Sequence, residues 1–66
     1  MITNDVSDLR QQVGLTQEEL ARQLSVTRQT IISLERNRYV PSLEMGFKVA
    51  RLFGRSIEEV FHYSEQ

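Results

Sequence analysis

Arg28 and Gln29 are adjacent in the run Thr27-Arg28-Gln29-Thr30-Ile31-Ile32-Ser33. A guanidinium can donate two parallel hydrogen bonds to the O6 and N7 of guanine, and a carboxamide can pair in the same way with adenine. Each such pair discriminates against a wrong base by about 1–3 kcal/mol. If the run is a helix with Ile31 and Leu34 turned inward, then Arg28, Gln29, Ile32 and Ser33 lie on the opposite face. A helix about 10–12 Å across fits the major groove, so these four side chains, with Thr27 ahead of them, are the candidates for contact with base edges. Thr27 has a methyl group suited to thymine. Ile32 either does the same or packs against a neighbour. A second set is suited to the sugar-phosphate backbone: Gln17, Thr30, Arg36, Asn37, Arg38 and Tyr39. Gln17 opens a helix, where free N–H groups and the positive end of the dipole favour a phosphate. Contacts of this kind position a protein on the duplex and carry no sequence information.

These residues need short helices to hold them, and the cap signals supply the boundaries. The first helix starts after Asn4, buries Val6, Leu9 and Val13, and ends at Gly14. Thr16 and Glu19 have the spacing of a capping box, which opens a second helix with Leu20, Ala21 and Leu24 on its inner face. Ser25-Val26 is a tight turn, and Thr27 caps the third helix. Pro41 stops that helix from running on. Ser42 caps a fourth, whose inner stripe is expected to be Leu43, Phe47, Ala50 and Phe53, with Gly54 as its stop. Ser56 and Glu59 form a second capping box, and Val60 and Phe61 close the core. His62, the single histidine, falls near the end of the fifth helix, where a cation suits the dipole. No alternating run supports a strand, so the expected fold class is all-α.

Composition limits the alternatives. The 66 residues allow one domain, 1–66, and a chain this short buries only about 60% of the surface it exposes when unfolded. There is no cysteine, hence no disulfide and no thiolate-bound zinc. No metal or other cofactor is implied. No apolar run is long enough to span a membrane and no signal peptide is evident, which points to a soluble, cytoplasmic protein. Net charge is −1, against the usual balance for binding a polyanion. The distribution is polarised, however: residues 28–55 carry Arg28, Arg36, Arg38, Lys48, Arg51 and Arg55 against Glu35 and Glu44, and both flanking segments are acidic. An enzyme reading lacks paired catalytic groups, a phosphate-binding glycine loop and room for a cleft. The more serious alternative is a helical adaptor that binds another protein, which would have no need of Arg28 and Gln29 facing outward.

The segments Leu15-Thr16-Gln17-Glu18-Glu19-Leu20-Ala21, Arg28-Gln29-Thr30-Ile31 and Glu35-Arg36, followed by Tyr39-Val40-Pro41-Ser42-Leu43 and Ser56-Ile57-Glu58-Glu59-Val60-Phe61, resemble the phage repressor and Cro family, the Xre-type regulators. The resemblance covers nearly everything after residue 8. It implies a five-helix, lambda-repressor-like domain, with a helix-turn-helix made by the second and third helices. It also implies a homodimer on palindromic double-stranded DNA, usually repressing transcription, with Thr27, Arg28, Gln29 and Ser33 as base readers and Gln17 on a phosphate. An ion pair between Arg10 and Glu35 is implied as well. No small-molecule ligand is suggested. Ser25 and Asn37 stand where the family most often has glycine; a left-handed serine is strained, whereas asparagine takes that conformation readily. Met45, Val49 and Leu52 lie along one side of the fourth helix. Either they are core, or part of this stripe joins Ile57, Phe61 or Tyr63 in a contact between two copies.

Overall fold

Four helices end on a residue in the left-handed region: Gly14 (φ 78°), Ser25 (59°), Asn37 (59°) and Gly54 (67°). The computed structural model describes residues 1–65, comprising α1 (Val6–Gln12), α2 (Gln17–Leu24), α3 (Arg28–Glu35), α4 (Leu43–Leu52) and α5 (Ile57–Val60). After each of the first four, the left-handed residue turns the next N–H back onto a carbonyl five residues earlier. These bonds run from Leu15 to Arg10, Val26 to Ala21, Arg38 to Ser33 and Arg55 to Ala50, at 2.9–3.0 Å. Carbonyls that the helix leaves without partners are thereby satisfied, and the chain is redirected within one residue.

The starts are as regular. Thr16, Thr27, Ser42 and Ser56 each accept, through the side-chain oxygen, the N–H of the residue three positions on. At Thr16 and Ser56 the carboxylates of Glu19 and Glu59 accept the cap residue's own N–H in return, at 2.8 and 2.9 Å. Both carboxyls are held below their ordinary pKa, first by that backbone N–H and then by the hydroxyl beside it. The α1 start lacks a cap from Asp5, and Asn4 Oδ1 accepts the Val6 N–H instead, at 3.0 Å.

Val6 and Leu9 from α1, Leu20, Ala21 and Leu24 from α2, Ile31 and Leu34 from α3, Val49 and Ala50 from α4, and Val60 from α5 form the core. Each large apolar side chain buried there is worth about 1.5–3 kcal/mol. Packing of α2 on α3 fixes the helix-turn-helix.

The structure departs from the sequence expectations at four places. Val13 is 58% exposed rather than buried, because α1 has already ended at Gln12. On α4 the inner face is Gly46, Val49 and Ala50, while Leu43 and Phe47 are 73% and 49% exposed. Ile57 of α5 and Phe61 pack over that face: a Cβ on Gly46 would lie in ordinary contact with both, 3.6 Å from Ile57 Cδ1 and 3.8 Å from the Phe61 ring. Full burial of Val49 also removes it from the candidates for contact between copies. Met45 and Leu52 are half-buried and pack on the core, Ile57 and Phe61 are half-buried, and Tyr63 is 72% exposed.

The fourth departure is a two-stranded antiparallel ribbon of β1 (Ile2–Asn4) and β2 (Phe61–Tyr63), in a chain expected to be all-α. Ile2 lies opposite Tyr63, Thr3 opposite His62 and Asn4 opposite Phe61. An isolated two-stranded ribbon is marginal in water. Here the Asp5 N–H donates to the Val60 carbonyl, and His62, in β2 rather than in α5, sets Nε2 2.8 Å from Asp5 Oδ2. Asn4 Nδ2 donates to the Leu34 carbonyl at 2.8 Å, joining the ribbon to the end of α3.

Candidate nucleic-acid interface

The start of α3 is open. Thr27, Arg28 and Gln29 are exposed, and Ile32 and Ser33, one turn on, are half-buried. Ile32 lies outside the core cluster, which leaves its side chain at the edge of the exposed face. The Thr27 hydroxyl is engaged as the α3 cap and lies 3.0 Å from the Thr30 hydroxyl. Its methyl group is the part left for an apolar contact, and Thr30 is committed to the same cap.

Charge is arranged around this face more selectively than the net value suggests. Among the described residues Arg22, Lys48 and Arg55 make exposed ion pairs with Glu18, Glu44 and Glu59 at 3.7–4.0 Å, each spaced four residues apart. Arg10 is paired with Glu35. Among the described residues Arg28, Arg36, Arg38 and Arg51 have no such partner, and the first three belong to α3 or the segment just after it, where Tyr39 is also exposed. Unpaired guanidiniums exposed together beside a helix of base-reading side chains form a local cationic surface.

Beneath it lies a network that ties α1, α2 and α3 together. Arg10 Nε donates to Glu35 Oε2 at 2.6 Å and its Nη2 to Oε1 at 3.3 Å, with side chains only 13% and 7% exposed. Arg10 Nη1 donates to the Leu15 carbonyl at 2.9 Å. Gln17 Nε2 completes the set by donating to Glu35 Oε1 at 3.0 Å. Glu35 is the last residue of α3, where the helix dipole disfavours a carboxylate by about 0.3–1 kcal/mol; three donors from Arg10 and Gln17 outweigh that. Fixed in this way, the α2 start contributes to an open depression lined by Thr16, Gln17, Glu18 and Arg28. The first N–H groups of a helix have no partner within it, so the depression joins free donors to an unpaired guanidinium.

Asn37 takes the left-handed conformation expected after α3, but its polar groups are already engaged. Its backbone N–H donates to the Leu34 carbonyl at 3.1 Å, and its Oδ1 accepts from Asn4 Nδ2 at 3.2 Å. The residue is a lock at the end of α3, and that N–H is not available to a phosphate. Sequence reasoning missed both this lock and the Gln17–Glu35 bond. The Asn4–Leu34 contact spans 30 residues, and no periodicity or cap pattern signals it.

Taken together, the short turn at Ser25, the close α2–α3 pair and the outward Arg28 and Gln29 define a helix-turn-helix DNA-binding domain. A family model described as helix-turn-helix matches residues 6–60. The chain is 52% identical over 52 residues to an uncharacterized HTH-type transcriptional regulator of Methanocaldococcus jannaschii, covering 79% of each chain. It is 51% identical over 61 residues to another such regulator in Methanothermobacter thermautotrophicus, covering 91% of this chain and 88% of that one. The cryptic phage CTXphi transcriptional repressor RstR of Vibrio cholerae is 34% identical over 65 residues, covering 98% of this chain and 59% of the repressor. The crystal structure of a candidate DNA-binding protein from Bacteroides fragilis superposes with a TM-score of 0.84 at 27% identity, covering 94% of this chain and all of the other. The chain belongs to the Xre/Cro-type helix-turn-helix family and is a DNA-binding transcriptional regulator, a non-enzymatic class. None of its helices is long and apolar enough to cross a membrane, among the described residues.

Proposed function

We propose that this regulator is a repressor that binds a palindromic operator as a homodimer, with α3 of each copy in the major groove. The observation that carries the reading is the exposed Arg28–Gln29 pair at the start of α3, with the exposed Arg36 and Arg38 at its other end. In this reading Arg28, Gln29 and Ser33 bond base edges, and the Thr27 methyl and Ile32 make apolar contact. The start of α2 at Gln17, together with Arg36, Arg38 and Tyr39, holds the backbone on either side of the groove. One helix of eight residues offers few base contacts, and a two-fold pair doubles them and matches a palindrome. The half-sites then lie about one helical turn apart, near 10 base pairs or 34 Å. Repression rather than activation is supported by the Vibrio cholerae relative, which is named a repressor. The site of action is the cytoplasm, where a prokaryotic cell keeps its DNA.

Selection of bound sequences from random duplex DNA tests this directly. The expected product is an inverted repeat with guanine or adenine at the positions facing Arg28 and Gln29. Enrichment of no sequence, or of a single half-site alone, overturns the reading.

A further inference from the structure

Asn4 makes more hydrogen bonds than the start of α1 requires. Its Oδ1 accepts the Val6 N–H, which is the cap that Asp5 does not provide. Its Nδ2 donates away from α1, to the Leu34 carbonyl at 2.8 Å and to Asn37 Oδ1 at 3.2 Å. The reverse amide orientation would set a donor against the Val6 N–H and an acceptor against the Leu34 carbonyl, so the surroundings admit only this one. The Leu34 carbonyl already accepts the Asn37 N–H, and the end of α3 is therefore closed without Asn4. Among the described residues the comparable left-handed turns at Ser25 and Gly54 are closed by backbone bonds alone.

The turn with this extra fastening is also the one with a guanidinium on each side. Arg36 precedes Asn37 and Arg38 follows it; both are exposed, and neither is in an ion pair among the described residues. A left-handed residue redirects the chain, so the φ of 59° at Asn37 sets where Arg38 and Tyr39 leave α3 relative to Arg36. Asn4 is itself held in place. It lies opposite Phe61 in the ribbon, the next residue donates its N–H to the Val60 carbonyl at 2.9 Å, and Met1 and Ser64 exchange two bonds at the far end, at 2.6 and 2.8 Å. A side chain anchored in this way, and bonded to both the last turn of α3 and the left-handed residue, is placed to support the groups on either side of that residue.

We propose that Asn4 is a positioning residue for DNA binding: through Leu34 and Asn37 it holds the turn from which Arg36 and Arg38 reach the phosphates. The proposal rests on the phosphate role given to those two arginines above and assigns what keeps them in place. Asn4 acts through the turn and not by touching DNA. Its effect on affinity comes from order established before binding, since a segment already fixed loses less freedom on association.

Operator binding by the full chain, measured over a range of salt at a temperature where the variants are folded, tests it. Asn4→Ser keeps a neutral oxygen acceptor for the start of α1 and removes the amide that bonds Leu34 and Asn37. It should weaken binding to the selected operator by about three- to tenfold. It should also make the slope in log K against log salt shallower and leave the preferred bases unchanged. Asn37→Gly keeps the left-handed turn and removes only the acceptor of the second bond, so it should show the same pattern to a smaller extent, and it carries the test if N4S does not fold. In the background R36A/R38A, N4S should cost nothing further, because the contacts it acts through are gone. A merely structural role would leave the salt slope alone and would persist in that background. Unchanged affinity in both N4S and N37G overturns the proposal, and so does a loss in N4S that remains in full in R36A/R38A. If R36A/R38A weakens binding while N4S and N37G do not, only the positioning role falls. If R36A/R38A binds the operator as tightly as the wild type, the phosphate role of the two arginines falls first and takes this proposal with it.

Discussion

Arg28 and Arg38 carry the same charge and are both exposed, yet their places at opposite ends of α3 give them different work. Arg28 projects from the first turn of α3 beside Gln29, whereas Arg38 lies beyond the left-handed Asn37 that ends the helix. A side chain bonded to a base edge distinguishes sequences, and one bonded to phosphate does not. Arg28→Ala and Gln29→Ala are therefore expected to cost about 1–3 kcal/mol each and to relax preference at one base position. Arg38→Ala should weaken all duplexes alike. Binding curves against a panel of single-base operator variants separate the two outcomes, and three uniform losses would remove the distinction. Ser25 is a residue-scale matter of another kind. Its φ of 59° costs a non-glycine residue about 1–2 kcal/mol, while the hydrogen bonds of the turn come from backbone N–H groups that glycine would keep. Set against the greater entropy that glycine loses on folding, Ser25→Gly should raise stability by about 0.5–1 kcal/mol in chemical denaturation.

At the scale of elements, most helix boundaries were legible because caps are local: Thr16, Thr27, Ser42 and Ser56 each act within three residues of themselves. The buried face of α4 was not legible. Its sequence offers two apolar stripes, one through Leu43 and Phe47 and one through Met45, Val49 and Leu52, and the first, taken as the inner one, is the exposed one. Ile57 and Phe61 pack over Gly46 on the buried face, a tertiary contact that no local pattern announces. The Arg10–Glu35–Gln17 network is also held between elements, and its energetics follow from burial. Removing one member of a nearly buried pair strands the other, so Glu35→Ala should cost about 3–5 kcal/mol by thermal or chemical denaturation. Replacing both, as R10M/E35L, should cost much less, since apolar side chains of similar volume need no partner. Equal losses in the single and double variants would show that packing, not charge, holds the three helices there. The capping boxes predict a pH dependence. Glu19 and Glu59 have lowered pKa values in the folded chain, so the stability they contribute is present above their ordinary value of 4.5 and is lost as pH falls through the lowered one. Glutamine keeps the accepting oxygen and cannot titrate. The double variant E19Q/E59Q should therefore show a shallower fall in melting temperature on the acid side than the wild type, and at pH 7 it should be the less stable of the two because it lacks the charged acceptors.

For the whole molecule, the ribbon of β1 and β2 was beyond sequence reading for a physical reason. Each strand has three residues, too few to show alternation, and the pairing joins positions about as far apart as the chain allows. Its consequence is that Asn4 ties the end of α3 to the N-terminal strand, so the last turn of the reading helix is held by two distant segments, Asn4 at Leu34 and Gln17 at Glu35. Scale also resolves the conflict between a net charge of −1 and a polyanionic partner. The molecule measures 32 × 23 × 20 Å, and at physiological salt charges separated by more than about 8 Å are largely screened. A bound phosphate therefore responds to the guanidinium beside it, Arg28 at one end of α3 or Arg36 and Arg38 at the other, and hardly at all to acidic residues beyond that range. Operator affinity should accordingly fall steeply with salt despite the negative net charge, with a slope in log K against log salt of about −0.9 for each phosphate neutralised. In a dimer, Arg38→Ala removes one such contact from each copy, and the slope should become shallower by about 2. Asp8→Asn or Glu65→Gln changes the net charge of each copy by as much as Arg38→Ala does, in the opposite sense, and should leave the slope unchanged. If those two acidic variants shift the slope as far as Arg38→Ala does, overall charge governs binding, and the local cationic surface beside α3 is not the phosphate site.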